Sequence, residues 1–390
     1  MTPGARVQSA IEILDLVIGA AKSGGAAADT ILARWFAGHR FAGSKDRRAI
    51  RELVYAAIRR CGEVPASGRA AMLSVAEIDA NVAAAFDGST YGPAPIGPGE
   101  AAAVAGAVPA WLAEALAASG LDESAQAALL ERAPLDIRVN RLRGGTVAVE
   151  GAEPIDGLPD ALRLPADTQI ERLPEYAAGA IEVQDAGSQI VALACGAKPG
   201  DHVIDLCAGA GGKTLSLAAA MANEGTILAT DTDRARLQRL PPRAERAGVT
   251  IAGTRLLDPG REAVALEDWR AAADVVLVDA PCSGTGTWRR NPEARWRLTP
   301  ERLNRLTETQ ARLLDIAADL VRPGGRLIHV VCSLLDAEGR DQVDAFLGRH
   351  PGWSTAPLDV PFGSPHGLGI RLDPAHHRTD GFFVAGLTKP

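Results

Sequence analysis

The chain has five cysteines in 390 residues, at positions 61, 195, 207, 282 and 332, and no Cys-x-x-Cys pair. That spacing excludes a zinc knuckle or a disulfide framework, and no metal is expected. Free thiols fit a reducing cytoplasm, which is the expected location. Long apolar runs are lacking too. The longest, Ala101 to Ala118, is mostly Ala and contains Pro109 and Glu114, so it reads as a soluble helix pair and not a membrane span. The opening "MTPGARVQSAIEILDLVIGAAKSGG" lacks a basic start followed by a long apolar core, so no secretory signal is expected. No internal repeat stands out, and nothing indicates an obligatory protein partner.

A positive charge excess is also absent: the net charge is −7. Its distribution is uneven, however. Residues 1–70 carry eleven Lys/Arg against six Asp/Glu, whereas residues 71–131 carry eight acids and no base. Farther on, "TWRRNPEARWR" concentrates Arg289, Arg290, Arg295 and Arg297 around Glu293. Basic patches around one acidic block suit a polyanion partner such as RNA. Trp288 and Trp296 offer stacking surfaces there, although packing is the blander reading for at least one of them. With 47% hydrophobic and 23% charged residues, the chain is globular and long enough for two or three domains.

Three regions differ in pattern. Residues 1–131 read as helical: "VQSAIEILDLVIG" has helical apolar spacing, and "SKDRRAIRELVYAAIRR" starts with a Ser N-cap and sets an apolar face against a basic one. Residues 132–180 are a small α+β segment, with "LDIRVNRL" alternating as a strand. Residues 181–390 alternate strands and helices. "HVIDLC", "GTILATD", "DVVLVD" and "GGRLIHVVCS" are strands, "DRARLQRLPPRAERAG" a charged helix and "TPERLNRLTETQARLLDIAADLV" a long one. That alternation predicts a mostly parallel, doubly wound sheet of Rossmann-like type, with ligands at the strands' carboxyl ends. Asp205, Cys207, Asp231, Asp279 and Cys332 all lie there.

The loop "DLCAGAGGKT" narrows the ligand. A phosphate loop ending in Gly212-Lys213-Thr214 requires Gly at 207, which is Cys207. A dinucleotide loop starting at Gly209 requires Gly at 214, which is Thr214. S-adenosylmethionine (SAM) carries no phosphate, so its cradle needs only small residues and an acid for the ammonium group. The stretch supplies both, and Asp231 at the next strand end suits the ribose hydroxyls.

The cysteines then suggest the acceptor. Cys61 and Cys195 read as core residues, and Cys207 as a small filler. Cys282 in "VLVDAPCSGTG" and Cys332 in "LIHVVCSLLDAEG" each follow a strand, where a thiol is a candidate nucleophile. Pyrimidine C5 is a poor nucleophile. A thiolate adding to C6 turns C5 into an enamine-like carbon able to attack a sulfonium methyl. The C5 proton must then leave and the thiol be expelled.

"DAPCSGTG", the following "TPERLNRLTETQARLLDIAADLVRPGGRLIHVVCSLL", "VQDAGSQIVAL" and "TDGFFVAGL" resemble the RNA cytosine-C5 methyltransferases of the NOL/NOP/Sun type. Within these they are most similar to the bacterial Sun (Fmu) 16S ribosomal RNA enzymes. The resemblance covers residues 181–390 and implies a class I SAM-dependent methyltransferase domain. It likens residues 1–131 loosely to a NusB-like RNA-binding domain and 132–180 to an RNA-recognition-like insert. It implies Cys332 as nucleophile, Cys282 as the helper in proton removal and release, and Asp279 between the cofactor's methionine end and the base. Lys213 supports charge and geometry. The loop Cys207, Ala208, Gly209, Ala210, Gly211, Gly212 and Lys213 wraps the cofactor, with Asp231 on the ribose and Asp258 on the adenine amino group. Arg289, Arg290, Arg295 and Arg297 are candidate RNA contacts. The chain departs from the family pattern in three ways. His329-Val330-Val331 precedes Cys332, without the usual small hydroxyl residue. Glu338-Gly339-Arg340 replaces the usual Glu-Asn-Glu. The helical front region is short for the Sun type. Other readings remain a DNA or transfer RNA methylase, or a non-catalytic ribosome-assembly factor.

Overall fold

The structure is a computed structural model that describes residues 1–144 and 147–390. The expected α+β segment 132–180 includes Gly145 and Thr146, which lie outside the described residues. The chain forms two compact units. One comprises Met1–Arg132 with Thr287–Pro300, and the other Ala133–Gly286 with Glu301–Pro390. This differs from the three expected regions in two respects: the small α+β segment falls within the larger unit, and the Arg-rich segment belongs to the helical one.

In the helical unit, helices run over Pro3–Ser23, Ala28–Gly38, Ser44–Arg60, Gly68–Ala76, Ala80–Ala84, Ala110–Ala118 and Glu123–Ala128. The first starts with Thr2 accepting from the Ala5 N–H at 3.2 Å and Pro3 in the first turn; it ends at Gly24 in the left-handed region. Its apolar stripe of Val7, Ile11, Leu14, Val17 and Ile18 packs with Ile50, Val54, Ile58 and Met72 into one core. Gly68 opens the fourth helix where a Cβ would strike the Ile11 carbonyl, so the close crossing requires glycine. Two local expectations fail here. Ser44 is the first helical residue, and the cap position is Gly43 without a side-chain bond. Only Ala110–Ala118 of the Ala-rich stretch is helical, because Pro109 stands at its cap.

The larger unit holds two sheets. A four-stranded antiparallel one comprises β1 (Leu135–Val139), β2 (Glu153–Ile155), β3 (Leu158–Leu164) and β4 (Ile181–Val183), in the order β2-β3-β1-β4. The nine-stranded one comprises β5 (His202–Asp205), β6 (Thr226–Asp231), β7 (Ala252–Leu256), β8 (Ala273–Asp279), β9 (Val321–Val331), β10 (Ser354–Ala356), β11 (Ser364–His366), β12 (Gly369–Leu372) and β13 (Phe382–Thr388). The order is β11-β12-β13-β9-β8-β5-β6-β7, with β10 also on β13. β7, β6, β5, β8 and β9 are parallel neighbours, while β13 pairs antiparallel with β9. The sheet is therefore α/β and mostly parallel, with its order reversing between β5 and β8. That switch point is where a doubly wound sheet leaves a crevice at its carboxyl edge. The apolar runs of β5, β8 and β9 are buried on both faces, as a covered parallel sheet requires. The charged helix expected after β6 is two short ones, Arg234–Leu237 and Leu240–Ala247, because Pro241 and Pro242 fit only a helix's first turn. Among the described residues no helix is long and apolar enough to cross a membrane.

Candidate active site

β5 ends at Asp205, and the chain turns through Leu206–Gly211 into the helix Gly212–Ala220. Gly209 (φ +57°) and Gly211 (φ +82°) adopt left-handed backbone, and a Cβ on Gly211 would collide with Leu240. The loop is thus a bare-backbone cradle that larger residues would fill. Its Gly209 N–H donates to Asp231 Oδ2 at 2.8 Å, and Asp231 Oδ1 accepts from the Asp233 N–H at 2.7 Å. A carboxylate has about four acceptor positions, so Asp231 keeps capacity for a ligand's hydroxyls. Asp258 is exposed just beyond the end of β7, and the neighbouring Leu257 N–H donates to the Asp231 carbonyl at 2.9 Å.

The acid at the head of the loop takes a part that was not expected. Asp205 is fully buried and accepts from Thr214 Oγ1 at 2.7 Å, tying the strand end to the helix. Burial first, then the neighbouring carboxylates against the Thr214 bond, pushes its acid up to about 6. One of its oxygens thus serves the fold, while Oδ1 is buried with no hydrogen-bond partner. Cys207 is held as a thiol: burial, then Asp279, Asp231 and Asp205, raise it well above the ordinary range.

β8 ends at Asp279, whose Oδ2 accepts from Lys213 Nζ at 2.7 Å. Burial alone would lower Lys213. The charge and hydrogen bond of Asp279 outweigh it, and Lys213 rises. Its ammonium also lies 5.5 Å from the centre of the Phe382 ring on β13. Cys332 directly follows β9, and its Sγ stands 3.3 Å from Cys282 Sγ. Both thiols are half-buried, whereas Cys61 and Cys195 are fully buried. The structure thus brings Lys213, Asp279, Cys282 and Cys332 together at adjacent strand ends.

Several supporting residues were not evident from the sequence. Ser283 Oγ and Ser333 Oγ share a hydrogen bond at 3.1 Å, the Leu334 N–H donates to Thr285 Oγ1 at 2.8 Å, and the Gly286 N–H donates to the Cys332 carbonyl at 3.0 Å. These bonds join the two cysteine loops. Glu338, fully buried, accepts from the Ser283 N–H at 2.8 Å and from Gln310 Nε2 at 3.0 Å. Arg243 donates to the Ala210 carbonyl of the cradle at 2.6 Å and to Glu182 at 3.0 Å. Only Glu338 had a signal, as the surviving acid of the altered Glu-Asn-Glu. The change at Arg340 falls on the surface, where its guanidinium pairs with Asp336 at 2.7 Å.

The Arg-rich segment is corrected. Arg295 is completely buried in the helical unit, and its Nη2 donates to the carbonyls of Ile58 at 2.6 Å and Cys61 at 2.8 Å. It caps the carboxyl end of the helix Ser44–Arg60, where a cation also meets the helix dipole. Glu293 accepts from the Ala28 N–H at 2.9 Å, at the amino end of the next helix. Arg297 donates to the carbonyls of Gly25 and Ala26, each at 2.6 Å. Arg289, Trp288 and Trp296 are buried. Of the four arginines expected to meet RNA, Arg290 is half-buried.

The sheet with its switch-point cradle has the Rossmann-like architecture of SAM-dependent methyltransferases. The family described as 16S rRNA methyltransferase RsmB/F matches residues 192–388, and the chain belongs to that family. It is 38% identical over 275 residues to the probable ribosomal RNA small subunit methyltransferase B of Synechocystis, across 65% of this chain and 60% of that protein. The chain thus spans about 60% of the length of the curated relatives it matches. Its fold is similar to the crystal structure of PH0851, with a TM-score of 0.78, 25% identity and coverage of 100% of this chain and 99% of the other. A methyltransferase homologue from Pyrococcus horikoshii gives a TM-score of 0.58 at 25% identity, over 73% of this chain and all of that one.

Proposed function

We propose that the chain methylates cytosine C5 in RNA, with 16S ribosomal RNA as substrate, using SAM as methyl donor. The observation that carries this reading is the 3.3 Å contact of Cys282 and Cys332 beside the Lys213–Asp279 pair. One thiol at a strand end is commonplace; two in contact suit a reaction that must both add a sulfur and later expel it. The names of the family and of its ribosomal RNA small subunit relatives favour the ribosomal substrate. A cytoplasmic place of action follows from it.

The cradle Cys207–Lys213 would hold SAM, with Asp231 on the ribose and Asp258 on the adenine. Bare backbone at Gly209 and Gly211 and the spare acceptor capacity of Asp231 fit that ligand. The bound donor supplies one electrophilic methyl group. In this reading Cys332 Sγ adds to cytosine C6, and electron density passes to C5. Asp279 holds Lys213 beside the base, where the ammonium offsets the negative charge that the addition passes into the ring. After C5 is methylated, its proton leaves with the help of Cys282, the C5–C6 double bond re-forms and the Cys332 sulfur departs. The base must be unstacked to expose both faces, so an unpaired nucleotide is the least costly target. Arg290, half-buried in the Arg-rich segment, is the candidate phosphate contact.

The test is transfer of labelled methyl from SAM to a 16S ribosomal RNA transcript, with bisulfite mapping of the product. Cys332→Ser is expected to lose about a thousandfold or more in rate while retaining SAM affinity, since only the nucleophile changes. Methylation at a position other than cytosine C5, or comparable turnover by Cys332→Ser, contradicts the reading.

A further inference from the structure

Two thiols in contact raise a question of roles, because each can serve as nucleophile. Their surroundings are not symmetric. On the Cys282 side, the Glu338 carboxylate is wholly removed from solvent. One oxygen accepts from the Ser283 N–H at 2.8 Å and the other from Ser283 Oγ. Gln310 Nε2 donates at 3.0 Å both to that carboxylate and to the Pro281 carbonyl. The residues before and after Cys282 are therefore both fixed by one buried anion and its amide partner. Lys213, by contrast, is already paired with Asp279 at 2.7 Å.

We propose that Glu338 is a positioning residue that assigns the roles of the two thiols, holding Cys282 as the protonated partner so that Cys332 is the nucleophile. This rests on the reading of Cys332 above. Two touching sulfurs in a partly dry site do not both ionise, because their like charges would repel strongly at low dielectric. The first proton therefore leaves the thiol whose surroundings oppose charge less. A carboxylate locked beside Cys282, on the N–H and hydroxyl of Ser283, opposes charge there and leaves the first ionisation to its partner. The direction of the Cys282 shift agrees: its bond to Cys332 first, then burial, then the charges of Cys332 and Glu338, raise it well above the ordinary thiol range. Cys282 accordingly donates its S–H to Cys332. Once Cys332 is consumed by addition to the base, the like charge that kept Cys282 protonated is gone, and Cys282 can lose its proton to solvent and then take the C5 proton in the release step. The altered Glu-Asn-Glu keeps its first acid, which is the one the clamp uses.

The test needs neither RNA nor SAM. The full chain is treated with iodoacetamide at one fixed alkaline pH, and carboxamidomethylation of each cysteine is followed by peptide mass spectrometry. Cys332 is expected to react at least about tenfold faster than Cys282, because the thiolate is the reacting form. Glu338→Gln preserves size and removes the charge; it is expected to speed Cys282 about tenfold and bring the two rates together. Cys61 and Cys195, both buried, report unfolding, and their continued protection shows that the variant is native. Equal or reversed rates in the unaltered chain overturn the inference without any variant. So does an unchanged Cys282 rate in a Glu338→Gln chain whose Cys61 and Cys195 stay protected. If the rates behave as expected yet no RNA is methylated, the proposed function fails and this assignment of thiol roles survives.

Discussion

Arg295 and Lys213 are both cations withdrawn from water, one in each unit, and their partners differ. Arg295 faces the backbone carbonyls of Ile58 and Cys61, which are neutral dipoles at a helix end. Burial is the main influence on it and brings its guanidinium down to about 10. Lys213 faces the Asp279 carboxylate and rises despite its burial. A buried cation satisfied by carbonyls is finished by the fold. One set against a carboxylate and next to two thiols still has charge to offer a reacting molecule. Partner chemistry, and not the density of Arg or Lys along the chain, separates structural from chemical use.

That contrast can be broken at either end. Arg295→Ala leaves the carbonyls at the end of Ser44–Arg60 without donors, and is expected to cost the helical unit about 3 kcal/mol. Urea unfolding measures the cost. Methyl transfer by the folded fraction should stay within about twofold of the unaltered chain, and loss of activity without loss of stability would return Arg295 to the site.

A smaller effect sharpens the same contrast within the larger unit. His329, on β9, is fully buried and shares its Nε2 with the Glu338 carbonyl at 3.1 Å. Burial holds it down at about 4, against an ordinary 6.5. Between those values the unfolded chain binds a proton that the folded chain refuses. Its contribution is therefore intact above pH 6.5 and is lost as pH falls toward 4. His329→Gln carries no such proton. The stability difference between the unaltered chain and this variant should move against the unaltered chain by roughly 2–3 kcal/mol between pH 7 and pH 4. A difference that does not change with pH would show that His329 is charged in the fold. Asp205, raised to about 6, acts in the opposite sense over this range, so the comparison must be made against the variant and not on absolute stability.

Much of the larger unit was legible in the sequence because parallel strands buried on both faces are continuous apolar runs, and the acids or thiols that follow mark their carboxyl ends. Asp205, Asp231, Asp279 and Cys332 all fall at those ends. What could not be read was mutual arrangement at long range. Arg295 meets Ile58, 237 residues earlier, and no local pattern announces that an Arg-rich segment returns to cap helices. Asp205 and Asp231 look alike as strand-end acids, and only packing shows that the first is fully buried with one oxygen taken by Thr214. The Glu338–Gln310–Ser283 clamp joins three loops and helices whose spacing follows no periodicity. The break at Pro241 departs from the single charged helix expected there, although two adjacent prolines, which do not fit a helix interior, were a local signal for it.

The central claim is that Cys332 bonds to the base and Cys282 is needed to let it go. Its most direct measurement is the denaturing-gel shift of the Cys282→Ala chain incubated with SAM and 16S ribosomal RNA transcript. The account predicts a covalent protein–RNA species that accumulates in Cys282→Ala and disappears when Cys332→Ser is added. Free methylated RNA at the ordinary rate, with no adduct in Cys282→Ala, would contradict it.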